Sequence, residues 1–125
     1  MLIAATAIYV LMSIQNQKIA VRLQDLKKRA APLHRTEPEK AIPFHEEAAE
    51  LAKDPLEKGQ ILISLYTEYF ASGDAQKKRD AVLGLKKLAE DSFFRLSTRA
   101  AAYISIADIF YANADEDFAR KVIFA

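Results

Sequence analysis

Two dipeptides strongly limit how the middle of the chain can fold. In Asp54-Pro55, the aspartate can cap a helix and the proline suits the first helical position. In Gly73-Asp74, the glycine is typical of the residue that ends a helix. The residues between the two dipeptides are therefore predicted to form one uninterrupted helix that ends near Ser72.

The composition favours helix along the rest of the chain as well. Only three glycines and four prolines occur in 125 residues, which predicts long regular elements joined by short connections. Alanine, leucine, lysine and glutamate are frequent, and these residues favour helix. The β-branched runs typical of strands are missing. The sequence therefore predicts an all-α fold.

The helices can be placed from apolar spacing and from the stop signals. They are predicted over residues 15–31, 38–53, 55–72, 75–90 and 96–113, with another beginning near Asp115. The first continues from residues 1–14, so that one long helix occupies 1–31. Two prolines in "PLHRTEP" predict a linker over 32–37. Residues 38–125 form the predicted helical domain. It ends inside a helix, which suggests either that the chain is a fragment of a longer protein or that another element packs there.

The N-terminal residues 1–14 are almost wholly apolar and uncharged, whereas residues 15–36 hold six basic residues and one acidic, a net charge of +5. Basic residues directly after an apolar segment are typical of a membrane anchor. We therefore predict an anchor in a membrane, with the bacterial inner membrane as its location and the side of the domain left open. The predicted basic neck consists of Lys18, Arg22, Lys27, Lys28 and Arg29.

Two alternatives to the anchor stay open, because 14 residues fall short of the roughly 20 that span a bilayer. The segment resembles the apolar part of a signal peptide, although no basic residue precedes it. It could also be a buried helix that completes the core of a soluble helical bundle of undefined binding role. Residues 37–125 carry a net charge of −4, which argues against nucleic acid as a partner.

An aromatic, apolar and small-residue spacing recurs along residues 38–125. It comprises Tyr103, Ile106, Ala107 and Phe110 followed by Ala119 and Ile123, then Leu62, Leu65 and Tyr69 followed by Ala81 and Leu85, and finally Ala41, His45 and Ala48. The spacing resembles that of tetratricopeptide (TPR) repeats, in which small residues let paired helices approach. The repeat step is 38–41 residues against the usual 34 or so. Tyr66 and Leu88 also stand where the family prefers small residues.

The resemblance implies a short TPR-like α-solenoid of antiparallel helix pairs, with a plain helical bundle as the alternative. Such stacked pairs leave a concave surface that binds other proteins. By matching position, the groove would be lined by Ile63, Thr67, Phe70, Ile104, Asp108 and Tyr111. The partner is expected to be a protein or peptide, and the oligomeric state is left open. The leading hypothesis is a membrane-tethered, non-enzymatic scaffold.

The sequence offers little that points to catalysis or cofactor binding. Cysteine is absent, and "HEEAAE" lacks the second histidine of a zinc-protease motif. The only two histidines are His34 and His45, and His45 is expected either to fill a helix contact or to extend its polar end to solvent. The acidic residues 115–117 are expected to cap the last helix. We predict no catalytic residue, no metal ligand, no cofactor and no enzymatic activity.

Overall fold

A computed structural model describes residues 2–113, and all regular secondary structure within this range is helical. The helices are α1 (Leu2–Ala30), α2 (Leu33–Thr36), α3 (Pro38–Leu51), α4 (Pro55–Ser72), α5 (Ala75–Glu90) and α6 (Leu96–Asn113). The prediction of an all-α fold that begins with a long helix is therefore confirmed. The helix expected near Asp115 lies outside the described residues, as do its predicted acidic cap and Ala119 and Ile123.

Local capping explains where α4 and α5 begin. The Asp54 side chain accepts a hydrogen bond of 3.1 Å from the backbone N–H of Glu57, and Pro55 occupies the first helical position. The Asp74 side chain accepts one of 2.9 Å from the N–H of Lys77. Each cap satisfies a donor that would otherwise lack a partner at the start of the helix.

The helices pack around two apolar cores, and α4 contributes to both. The first core joins α1, α3 and α4 through Leu23, Leu26, Ala48, Ala49, Ala52 and Ile61. The second joins α5, the following turn and α6 through Val82, Leu85, Leu88, Ala89, Phe94, Ala102, Ile106 and Ile109. Leu62 of α4 packs against both cores, so the two halves of the domain are continuous.

Two glycines let α4 approach its neighbours closely. A methyl group at Gly84 of α5 would overlap the ring of Tyr66, and one at Gly59 of α4 would overlap the Thr98 methyl group of α6. Glycine normally weakens a helix interior. Here its missing side chain makes room for the packing of α4 against α5 and α6.

The structure overturns the predicted membrane anchor. No helix within residues 2–113 is long and apolar enough to cross a membrane. Although α1 has 29 residues, its uncharged apolar part ends at Ile14, after which the helix continues through the polar residues 15–18. The membrane prediction, and with it the bacterial inner membrane location, was wrong. The alternative burial of residues 1–14 is not observed either, because the side chains of residues 2–14 are exposed apart from the half-buried Ser13.

The predicted basic neck instead pairs with carboxylates of the same chain. Arg22 makes two hydrogen bonds with the Glu47 carboxylate of α3, at 2.9 and 3.0 Å. Lys27 Nζ lies 3.0 Å from Glu57 Oε1 of α4. Arg29 pairs with Asp25 within α1, whereas Lys18 and Lys28 lie on the exposed surface. Arg22 and Lys27 therefore link α1 to α3 and α4.

The predicted linker 32–37 contains the short helix α2. Its four residues lie between Pro32 and Pro38. Thr36 closes the turn by donating its hydroxyl proton to the carbonyl oxygen of Pro32 at 3.0 Å. The segment packs against α3 and brings His34 towards the interior of the domain.

Candidate functional site

A carboxylate lies at the centre of the packing between α2, α3 and α4. Ile61, Leu65 and Glu68 follow one another at helical spacing along the inner face of α4, and all three are buried. The side chain of Glu68 has 0% exposure. The apolar periodicity that buries Ile61 and Leu65 therefore carries this glutamate into the core as well.

Both histidines of the chain contact this buried carboxylate. His34 Nδ1 of α2 lies 2.6 Å from Glu68 Oε2. His45 Nδ1 of α3 lies 2.7 Å from Oε1 and 2.6 Å from Oε2. The two imidazole rings meet edge to face, with their centroids 6.2 Å apart. His45 is buried, so it follows the first of the two predicted alternatives, and its partner is a carboxylate.

These contacts make the burial of Glu68 tolerable. An ionised carboxylate without compensation is costly in a protein interior. When Glu68 is ionised, both Nδ1 atoms can donate protons to it and so satisfy its two oxygens. The imidazole and carboxylate donor atoms of the three residues lie within 4.8 Å of one another, so they are also a group that could hold one metal ion.

A cavity of about 310 Å³ adjoins the cluster. Its lining residues are Lys27, Ala31, His34, His45, Gln60, Ile61 and Ser64. Both imidazoles therefore border space on one side and the Glu68 carboxylate on the other. The cavity gives a small molecule or ion a route to the histidines, whereas Glu68 itself lies beneath them.

A second polar contact follows on the next residue of α4. The Tyr69 hydroxyl donates a hydrogen bond of 2.6 Å to Glu46 Oε1 of α3. Burial, together with this bond and the nearby Glu46 charge, raises the pKa of Tyr69 above its ordinary value. Burial likewise raises the pKa of Tyr66. Both phenols are therefore held in the neutral, protonated form.

Sequence reasoning missed the histidine–glutamate cluster because its members are distant along the chain. Glu68 is 34 residues from His34 and 23 from His45. A local signal was nevertheless present. Glu68 occupies the register of the apolar stripe in "ILISLYTEYF", where a carboxylate needs a buried partner.

The structure brings together three of the six residues predicted to line a groove. Thr67 and Phe70 of α4 and Asp108 of α6 line one open cavity of about 380 Å³. Its other lining residues are Ala71, Lys78, Ser105 and Ile109. The Lys78 ammonium lies 5.4 Å from the centroid of the Phe70 ring. The groove thus combines an apolar floor with one basic and one acidic side chain.

The other three predicted groove residues lie elsewhere. Ile63 is half-buried and packs against the second core. Ile104 is exposed, and Tyr111 is 90% exposed, but neither lines the cavity. Along α6, Asp108 therefore lies at the groove, whereas Ile104 and Tyr111 lie on open surface.

The predicted repeat-packing residues divide by burial. Ala41, His45, Ala48, Leu65, Ala81, Leu85 and Ile106 are buried, Leu62, Tyr69 and Phe110 are half-buried, and Tyr103 and Ala107 are exposed. The two exposed residues differ from the prediction. Along α6 the buried face follows Ala102, Ile106 and Ile109, so Tyr103 and Ala107 fall beside it.

Comparison with known proteins assigns no family to this chain. No family model, no curated protein and no solved structure matches it. The groove and the histidine–glutamate cluster are therefore the two features of the molecule that indicate a function.

Proposed function

We propose that this protein is a non-enzymatic, TPR-like scaffold that binds a segment of another protein in the groove between α4 and α6. The observation that carries the proposal is the cavity of about 380 Å³ in which Thr67, Phe70 and Asp108 meet. The resemblance to TPR repeats also implies that these three residues line a shared groove. Stacked helix pairs commonly bind proteins through such surfaces.

The order of helix contacts supports a repeat-like arrangement. Helix α4 packs on α5, α5 packs on α6, and α4 also contacts α6. In stacked pairs of this kind, the first helices of successive pairs lie side by side and line the groove. Helices α4 and α6 would be these first helices, and α3 would be the second helix of the preceding pair.

The lining of the groove indicates the chemistry of its partner. Phe70 and Ile109 provide apolar contact, while Lys78 and Asp108 add one charge of each sign at the groove. We therefore expect an amphipathic segment with an apolar anchor, a basic residue for Asp108 and an acidic residue for Lys78. Apolar burial would supply most of the binding free energy, and the two charges would set orientation.

Selection from a displayed peptide library on the full chain tests this proposal. Enriched peptides should carry an apolar residue beside a basic one. Ala71→Lys should abolish their binding, because Ala71 is an exposed residue of the groove lining and a long side chain there would block it. Asp108→Asn should weaken peptides with the basic residue more than peptides without it.

The matched control is Ala20→Lys, the same substitution at an exposed position of α1. It adds the same charge but lies outside the groove lining. Peptides that bind the Ala71→Lys chain as tightly as the unaltered chain would contradict the proposal.

A further inference from the structure

We propose that His34, His45 and Glu68 bind a divalent transition-metal ion, and that Zn²⁺ fits this donor set best. The site is separate from the groove between α4 and α6, because none of its three residues lines that groove. The inference therefore stands whether or not the proposed scaffold function is correct.

The distances between donor atoms suit a single ion. Both Nδ1 atoms lie 2.6 Å from Glu68 Oε2, and all donor atoms fall within 4.8 Å of one another. Zinc bonds of about 2.0–2.2 Å place neighbouring donors of a tetrahedron about 3.3 Å apart. Each imidazole would need to withdraw from the carboxylate by only about 0.7 Å. The ion would then take the place of the short contacts that now join the three groups.

The position of His34 allows this movement. Its side chain is 32% exposed and belongs to the four-residue helix α2 between two prolines. His45 and Glu68 are buried on the longer helices α3 and α4, so the movement between these two donors must come from rotation of their side chains. The site thus combines two buried donors, whose side chains must rotate slightly apart, with a third on a short, partly exposed segment that can adjust to the bond length.

The types of donor select the class of metal. Two imidazoles and one carboxylate suit Zn²⁺ and related transition ions, whereas Mg²⁺ and Ca²⁺ prefer oxygen donors throughout. The ion would also compensate the charge of a carboxylate that has 0% exposure. The requirement for charge compensation and the preference of the donors therefore favour the same kind of ion.

The neighbouring cavity provides access and a further coordination position. Its volume is about 310 Å³ and both imidazoles line it. Zinc sites with three protein ligands keep a fourth position for water. Gln60 and Ser64 also line this cavity and offer polar groups that could hold such a water.

Zinc binding would join three separate elements of the fold. The donors come from α2, α3 and α4, so the ion would link the short connecting segment to both helices. A ligand that binds only the folded state stabilises it by mass action. The site should therefore be visible in thermal unfolding as well as in direct binding.

The test is calorimetric titration of the tag-free, metal-depleted full chain with Zn²⁺, accompanied by thermal unfolding with and without the ion. We expect one saturable site per chain and a raised melting temperature. Because the chain has only two histidines, both in the cluster, a purification tag must be removed completely. Replacement of Zn²⁺ by Co²⁺ should give the visible absorption of a tetrahedral site.

Three variants separate this site from adventitious binding. His34→Gln and Glu68→Gln should each weaken Zn²⁺ at least about 100-fold, because even groups that only orient a metal ligand are worth about 10–100-fold. Glu50→Gln, at an exposed position of α3, should leave the affinity unchanged. Absence of saturable binding, or equal affinity of the His34→Gln chain, would overturn the proposal. His34 is the decisive position because its substitution disturbs the core least.

Discussion

The Thr98 hydroxyl is a single-residue defect in the packing of α6. It is buried, and the structure gives it no hydrogen-bond partner among the described side chains. Thr98→Val replaces the hydroxyl with a methyl group of similar size and similar helix propensity. Removal of an unsatisfied buried donor should raise the free energy of unfolding by about 1 kcal/mol.

Urea unfolding of the Thr98→Val chain checks this expectation. Thr98→Ser is the useful comparison, because it keeps the hydroxyl and removes the methyl group that lies close to Gly59. The serine variant should be less stable than the unaltered chain. A valine variant that is also less stable would mean that the hydroxyl has a partner in solution.

The contact between Gly84 and Tyr66 reverses a general rule about helix interiors. Glycine to alanine normally stabilises a helix by about 0.5–1 kcal/mol. At Gly84 the added methyl group would overlap the Tyr66 ring, so Gly84→Ala should lower the unfolding free energy by about 1–3 kcal/mol.

A double-mutant cycle with Tyr66→Leu identifies the cause of the Gly84 effect. Because leucine at position 66 removes the ring, Gly84→Ala should then become neutral or stabilising. Equal effects of Gly84→Ala in both backgrounds, measured by thermal unfolding, would show that the ring is not responsible.

The raised pKa of Tyr69 makes the free energy of unfolding depend on pH in the alkaline range. The pKa of Tyr69 in the folded chain is raised by burial and by the bond to Glu46. Above about pH 10 the unfolded chain loses this proton first, so stability is full below that pH and falls as the pH rises. Unfolding in urea between about pH 9 and pH 11 should show this loss. Tyr69→Phe should reduce it, and an unchanged pH dependence would contradict the assignment.

At the scale of helices, α1 is attached by two kinds of contact of very different strength. Leu26 has 0% exposure and belongs to the first core, so Leu26→Ala should cost about 2–5 kcal/mol. The Arg22–Glu47 pair is about half exposed, so Arg22→Gln should cost less than about 1 kcal/mol. Chemical denaturation of the two variants gives the comparison. A larger loss for Arg22→Gln would mean that ion pairs, and not apolar contacts, attach the helix.

The difference between local and long-range contacts explains how much of the fold the sequence could predict. The start of α4 followed from Asp54-Pro55 and its end from Gly73-Asp74, because such signals act within a few residues of the chain. Which helix faces are buried in common depends on contacts between distant segments. The cluster of His34 and Glu68 joins residues 34 positions apart, and no local signal indicates which partner a buried carboxylate finds.

The groove was partly predicted from the sequence, whereas the role of the N-terminal helix was predicted wrongly. The resemblance to TPR repeats implied that Thr67 and Asp108 lie on a common surface, because it matches equivalent positions of successive helices. The apolar residues 1–14 carried a composition typical of an anchor, but composition does not show where a helix continues. In the structure residues 2–14 form the first half of one helix with the charged residues that follow.

At the scale of the whole molecule, α4 makes the two cores interdependent. Leu62 packs against both, and the buried Glu68 of the same helix contacts α2 and α3. Loss of packing in either core therefore weakens the support of the other. We expect the two cores to unfold in a single transition, as small domains usually do.

The N-terminal half of α1 lies outside this cooperative unit. Its side chains from residue 2 to residue 14 are exposed apart from the half-buried Ser13, whereas Leu23, Leu26 and Ala30 anchor the second half. Deletion of residues 2–14 should therefore change the unfolding free energy by no more than about 0.5 kcal/mol, as for surface changes remote from the core. Thermal unfolding and circular dichroism of the shortened chain provide the measurement. A lost or broadened transition would show that these apolar residues pack against the domain in solution, and the boundary of the cooperative unit would then move to the start of α1.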